Sequence, residues 1–288
     1  MTLDYNGAVL IIVTMIGTVF FAIAGWYEYR KKLQIRFWHD QPLEERYRRF
    51  LPSIPHYIRL GTADQKSLEQ RLNVFIHTKI FTGIGVTITD EMKTLIGFYA
   101  CLLLLRKPQE YCYDTLKTII VYPSAVRIDT LRSNGGVYTQ DTMVIEGQST
   151  GEAVVITWHE AKKEAYHMHR QNVILHEFAH EIDGLDGRLD GIPPIETSKF
   201  EGWVHILYKE LDTLGTIAWT NRGWGKYKLF GEYAATNEAE MFAVATERFF
   251  ESPNTFRRDF PEFYHLLADF YEMDSATLFG SATPSLKE

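Results

Sequence analysis

Cysteine is scarce in this chain, with only Cys101 and Cys112 in 288 residues. Two cysteines cannot build a disulfide framework, so the disulfide-stapled secreted class is excluded and a reducing compartment is the simpler setting. Cys101 lies in the apolar run Ala100-Cys101-Leu102-Leu103-Leu104-Leu105 and reads as core packing. Basic runs are also lacking. Apart from one short cluster, Arg30, Lys31, Lys32 and Arg36, cations are dispersed, and the net charge is −7. Nucleic-acid binding needs a concentrated positive surface, so that role is excluded. Internal repeats and low-complexity tracts are absent, which argues against solenoids and disordered linkers. What remains is 45% hydrophobic and 14% aromatic, enough to fill one sizeable core.

Charge is missing altogether from Gly7 to Trp26. Twenty helical residues reach about 30 Å, the thickness of a bilayer's hydrocarbon core. Tyr5 on one side and Trp26 and Tyr27 on the other are placed like interfacial aromatics. The rival reading is a signal peptide, since Ala22-Ile23-Ala24 resembles a cleavage site. It lacks a basic leading region, however, and its apolar run is long. A buried helix of a soluble protein rarely stays apolar on every face for this length. Residues 1–29 therefore read as a transmembrane anchor, with lipid contact through 7–27. The basic cluster follows the span and no basic residue precedes it, which predicts a single-pass protein with a cytoplasmic domain. Residues 30–50 are mixed in charge and read as a juxtamembrane connector. Their basic part can also meet anionic headgroups, as a secondary role.

Leu51-Pro52-Ser53-Ile54-Pro55 marks the start of a folded domain over 51–288. Apolar spacing predicts helices from Thr62, from Thr89-Asp90-Glu91 to Leu105, and over 197–214, 237–251 and 259–272. Thr118–Tyr122, closed by Pro123, and Val154–Trp158 read as strands, with a turn at Ser133-Asn134-Gly135-Gly136 between them. The pattern is α+β, with helices outnumbering strands.

The chemistry concentrates in His176-Glu177-Phe178-Ala179-His180. The apolar Val173, Ile174 and Leu175 precede it, and Gly184 and Gly187 follow, so a helix over about 171–183 is expected. Histidines four apart share one helix face and can grip one metal ion. Glu177 beside them can accept a proton from water. Glu181 is unusual, placing a charge directly after the second histidine. A catalytic zinc site needs a third protein ligand. Asp186 lies six residues after His180, but the turn glycine that spacing requires is displaced from 183 to 184. Glu240 lies among apolar residues in the first turns of a later amphipathic helix. Neighbouring Glu238 reads as an answer to the positive end of that helix. Spacing alone leaves both ligand candidates open. His167 and His169, one residue apart, fall on different faces of a helix, and His159 follows a strand. His39, His56, His77, His205 and His265 lack ligand-like companions.

Several blocks recur together in order: Ile88-Thr89-Asp90-Glu91-Met92, Ala100 to Leu104, Val121-Tyr122-Pro123, the histidine motif with Asp183 and Leu185-Asp186-Gly187, Asp190-Gly191-Ile192-Pro193-Pro194, and Glu240-Met241-Phe242-Ala243-Val244 to Phe249-Phe250. Through them the chain resembles the Mlc titration factor A family of zinc-dependent peptidases from about Leu51 to Phe270. That family is in turn similar to lethal-factor-type zincin domains. The resemblance implies a mainly helical zincin-like metallopeptidase domain with a small sheet. It also implies zinc on His176, His180 and Glu240, Glu177 as general base, and Tyr233, seven residues before the third ligand, in the site. Peptide hydrolysis by a zinc-activated water would follow, with Tyr233 donating to the oxyanion and a peptide or protein as substrate. The strand Val154–Trp158 offers either a substrate edge or plain core sheet. The alternative function is a zinc-containing regulatory protein that sequesters a partner. The anchor departs from the soluble members, whose partner is a glucose-responsive repressor. The thermolysin-type aspartate four residues after the third ligand is replaced by Val244.

Protease added outside sealed cells should leave residues 30–288 intact and cut them once the membrane is opened. Digestion from outside contradicts this topology.

Overall fold

The computed structural model describes residues 5–108, 113–124, 126–134, 137–145, 147–149, 152–168 and 171–280, with backbone alone for 5–8, 10–11 and 126–149. Cys112, Gly135, Gly136 and His169 lie outside the described residues.

The first helix, α1 (Tyr5–Asp40), is 36 residues long. Among the described residues it is the one helix long and apolar enough to cross a membrane. The most apolar 18-residue stretch within Ile12–Asp40 has a mean hydropathy of 1.3, and none of that stretch is buried. The helix does not end with the apolar segment, so residues 30–50 are not the loose connector that their charges suggest. Asn73 Nδ2 donates to the carbonyls of Trp38 and Gln41 at 2.7 and 3.1 Å. Trp38 stacks on His77 with ring centroids 3.6 Å apart. Beyond Asp40, α2 (Glu45–Arg48), a 3-10 turn (Leu51–Ser53) and α3 (Pro55–Arg59) bury Leu43, Tyr47, Leu51 and Ile54. Four apolar side chains among many charges are enough to seat the segment.

Next come α4 (Thr62–Thr78), β1 (Ile80–Gly83) and α5 (Asp90–Leu103). Thr89 caps α5, its hydroxyl accepting from the Met92 N–H at 3.2 Å. Gly97 lets α5 lie against α4, since a Cβ there would stand 2.6 Å from Leu72 Cδ1. The strands β2 (Thr118–Tyr122), β3 (Val126–Asn134), β4 (Val137–Ile145), β5 (Gly147–Ser149) and β6 (Ala153–Thr157) follow. One sheet has the order β1-β2-β6-β5. Its first three strands are parallel, with Ile80 opposite Thr118 and Ile119 opposite Val154, and β5 runs antiparallel to β6. Ile119, Val121, Val154 and Ile156 are the buried alternate positions. The strand considered as a substrate edge, β6, is thus interior, and β5 is the edge beyond it. Strands β3 and β4 form a separate antiparallel hairpin.

The remaining helices are α6 (Trp158–Ala165), α7 (Val173–Asp183), α8 (Thr197–Thr220), α9 (Glu238–Glu251), α10 (Pro253–Asp259), α11 (Pro261–Tyr271) and α12 (Ser275–Phe279). The expected 259–272 helix is α11, and Pro261 sets its start, because proline is tolerated at the first helical turn and not inside. Phe178 of α7 meets Phe75 and Tyr113 at ring distances of 5.7 and 5.0 Å, which fixes the motif helix against α4. Phe249, Tyr264 and Tyr271 pack α9 against α11.

Candidate metal centre

The motif helix begins at a cap that is itself held from elsewhere. Asn172 Oδ1 accepts from the Leu175 N–H at 3.2 Å. The Asn172 N–H donates to Glu247 Oε2 at 2.6 Å, and its amide nitrogen donates to Glu251 Oε1 at 2.9 Å. Both carboxylates belong to α9, so the start of α7 and the last two turns of α9 are bonded in the core. Asn237 caps the other end of α9, accepting from the Glu240 N–H at 2.9 Å.

These caps set where the side chains meet. The rings of His176 and His180 lie edge to face, 4.9 Å apart. Glu240 Oε2 sits between them, 3.1 Å from His176 Nε2 and 3.4 Å from His180 Nε2. One donor atom from each residue falls within 4.8 Å of the other two. All three side chains are partly exposed, at 12%, 12% and 16%, so the cluster opens to solvent. Burial acts to raise the Glu240 pKa. Hydrogen bonds and charge from the two histidines outweigh it and hold the carboxyl well below the ordinary range. Two imidazoles and a carboxylate form the donor set of known catalytic zinc sites, and here they converge.

Glu177 is buried, and its Oε2 has no hydrogen-bond partner among the described residues. Desolvation raises its pKa to about 7. His176 opposes the shift, while Glu240, Glu181 and Glu247 add to it. Tyr233 begins a 3-10 turn (Tyr233–Ala235) that leads into the α9 cap. It is 59% exposed, and its ring centre lies 5.8 Å from that of His176. Asp186 stands outside the convergent group, its Oδ1 accepting from the Arg188 N–H at 3.0 Å. Glu181 is buried. His56 is buried near Tyr99 OH and the Phe250 carbonyl, and His167 lies beside the Lys163 carbonyl. None of the other described histidines joins the cluster.

Two contributors have no role in the sequence reading. Glu247 is buried two turns after Glu240 on the same face of α9, with Oε1 4.0 Å from His176 Nδ1. Its seven-residue spacing from Glu240 is the signal that could have revealed it. Asp183 is the other. Its Oδ2 accepts from the Gly191 N–H at 2.9 Å, while Oδ1 lacks a partner among the described residues. Gly191 has φ +73, and a Cβ there would lie 2.4 Å from the Glu238 carbonyl oxygen. The loop after the motif can therefore press against the first turn of α9, beside Glu240, only with glycine at this point.

Burial raises the Asp183 pKa from 3.8 to about 7. A raised carboxyl pKa makes a stability contribution that is full below about 4 and lost as pH climbs through about 7. Asp183→Asn keeps an acceptor for Gly191 and removes the ionisation. In chelator-treated protein, the stability of the variant relative to wild type should therefore rise between pH 5 and pH 8. An unchanged difference in denaturation midpoints contradicts the assignment.

The model of the glucose-regulated metallo-peptidase M90 family matches residues 27–272. A protein of Synechocystis sp., "Uncharacterized protein slr2042", is 29% identical over 256 residues, covering 85% of this chain and 89% of its own length. Mlc titration factor A of Klebsiella pneumoniae (strain 342) is 28% identical over 233 residues, covering 77% and 84%. Mlc titration factor A of Serratia proteamaculans is 28% identical over 200 residues, covering 66% and 72%. With the family model spanning most of the domain and several relatives similar along it, the chain belongs to the glucose-regulated metallo-peptidase M90 family.

Proposed function

We propose that this chain is a membrane-anchored zinc metallopeptidase whose catalytic domain faces the cytoplasm. The observation that carries the reading is the convergence of His176, His180 and Glu240 beside a buried, unpartnered Glu177 oxygen. The first three residues would hold zinc, which supplies Lewis acidity, acidifying water and polarising a carbonyl. Glu177 accepts a proton from the attacking water and returns it to the leaving amine. Tyr233, exposed at the margin of the site, donates its hydroxyl proton to the developing oxyanion. Glu247 sits under His176 and fixes the ring's direction. The outer edge of β5, the last strand of its sheet among the described residues, offers an extended substrate peptide main-chain pairing. Residues 7–27 of α1 serve as the anchor, with the basic cluster on the cytoplasmic side.

A second reading rests on the relatives' name. Mlc titration factor A is named for titrating Mlc. By analogy, this chain would sequester a regulatory protein at the membrane, with the metal in a structural role. Glu177 favours the enzyme, because a structural site needs no base.

Peptidase assays and metal analysis of the full chain in detergent separate the two. Glu177→Gln should keep metal and fold and lose most hydrolysis. His180→Ala should lose both metal and hydrolysis. Tyr233→Phe should lower the rate by roughly 10²–10³, as for other oxyanion donors. Full hydrolysis by Glu177→Gln contradicts the mechanism. A zinc-loaded wild type without hydrolysis transfers the reading to the sequestering protein.

A further inference from the structure

The first helix does not stand clear of the domain where its apolar stretch ends. A groove of about 900 Å³ opens between α1, from Trp26 to Phe37, and the sheet edge where Lys79 and Ile80 lead into β1 and Lys117 leads into β2. The lining carries four cations, Arg30, Lys31, Lys79 and Lys117, against one carboxylate, Asp114. The fold brings Lys79 and Lys117, from distant parts of the chain, to Arg30 and Lys31 of the basic cluster, so the positive site is larger than the cluster alone.

Arg30 lies over the Trp26 ring, 5.2 Å from its centre. Lys31 pairs with Asp114 at 3.1 Å, and Lys117 pairs with Glu152 at 2.6 Å. Both pairs reach solvent, and such pairs contribute little and exchange readily. Lys79 donates to the carbonyls of Tyr113 and Leu116 at 2.7 and 2.8 Å. Beside these cations stand exposed apolar groups, Ile80 at 63% and Trp26 at 61%. The groove thus offers phosphate-binding charge next to a surface suited to hydrocarbon. Trp26 belongs both to the groove and to the end of the proposed span, which puts the groove at headgroup level.

We propose that this groove binds the phosphate headgroup of an anionic phospholipid from the anchoring bilayer, wedging a lipid between α1 and the β1 edge. The proposal rests on the membrane-anchor reading and goes beyond it, because the bound lipid fixes how the catalytic domain sits on the membrane. Each basic residue held near an anionic surface contributes a factor of about five.

The test uses the full chain in nanodiscs of phosphatidylcholine, alone or mixed with phosphatidylglycerol. Lipids retained on ejection are counted by native mass spectrometry. The retained ratio of phosphatidylglycerol to phosphatidylcholine should be about five times the bulk ratio or more. The triple variant Arg30→Gln, Lys31→Gln, Lys117→Gln should melt like wild type in phosphatidylcholine and retain the two lipids near their bulk ratio. Bulk-ratio retention by wild type overturns the proposal, and so does undiminished enrichment in the variant. If inorganic phosphate in phosphatidylcholine discs raises the melting temperature as much as phosphatidylglycerol does, the site takes a free anion and the lipid assignment is wrong. Flotation with phosphatidylcholine vesicles reads the anchor separately. A chain that does not float loses both readings, whereas one that floats without enrichment loses only this one.

Discussion

The docking of α9 across α7 is the constraint on which the site depends. Glu240 reaches the two imidazoles only because α9 lies where its first turn overhangs the motif. That placement is fixed at the opposite end, where Glu247 and Glu251 bond the backbone and side chain of Asn172. One asparagine thus caps the motif helix and ties it to the helix that carries the third candidate ligand. The bonds are buried, the setting in which losing one partner costs most.

The loop between the two helices closes the same arrangement from outside. Asp183 holds the Gly191 N–H, and Trp203 donates to the Gly191 carbonyl at 2.9 Å. Gly191 in turn lies against Glu238, two residues before Glu240. The residues after the motif are therefore structural partners of the site, and Asp186 is engaged in its own turn. Several acids gather here in little water, so burial raises the pKa of Glu177 and Asp183 while Glu240 is lowered by its histidines. Environment divides similar carboxyls into different roles.

Much of this was legible in the sequence, for physical reasons that can be named. The motif helix, its neighbours α5 and α9, and strands β2 and β6 carry long apolar or strongly periodic runs, which report burial directly. The β3–β4 hairpin was not read as strands, because Arg127, Asp129, Arg132, Gln140 and Asp141 interrupt its alternation. Residues 30–50 read as a solvated connector because charge dominates their composition, yet Leu43 and Tyr47 within them are buried. Of the site, the histidine pair and Glu177 follow from helical spacing alone. The choice between Asp186 and Glu240 does not, because it depends on a contact between helices 64 residues apart. The resemblance to the family favoured Glu240, and the geometry brings Glu240 to the histidines. Glu247 and Asn172 hold the neighbouring helices rather than act as ligands, so no ligand spacing marks them.

The central claim is that one metal ion sits among His176, His180 and Glu240. Anomalous diffraction at the zinc edge, from crystals of protein purified without added chelator, tests it most directly. The account predicts a single strong peak about 2.0–2.2 Å from a donor atom of each of the three residues. A peak ligated by Asp186, or zinc-replete crystals with no peak between the histidines, would contradict it.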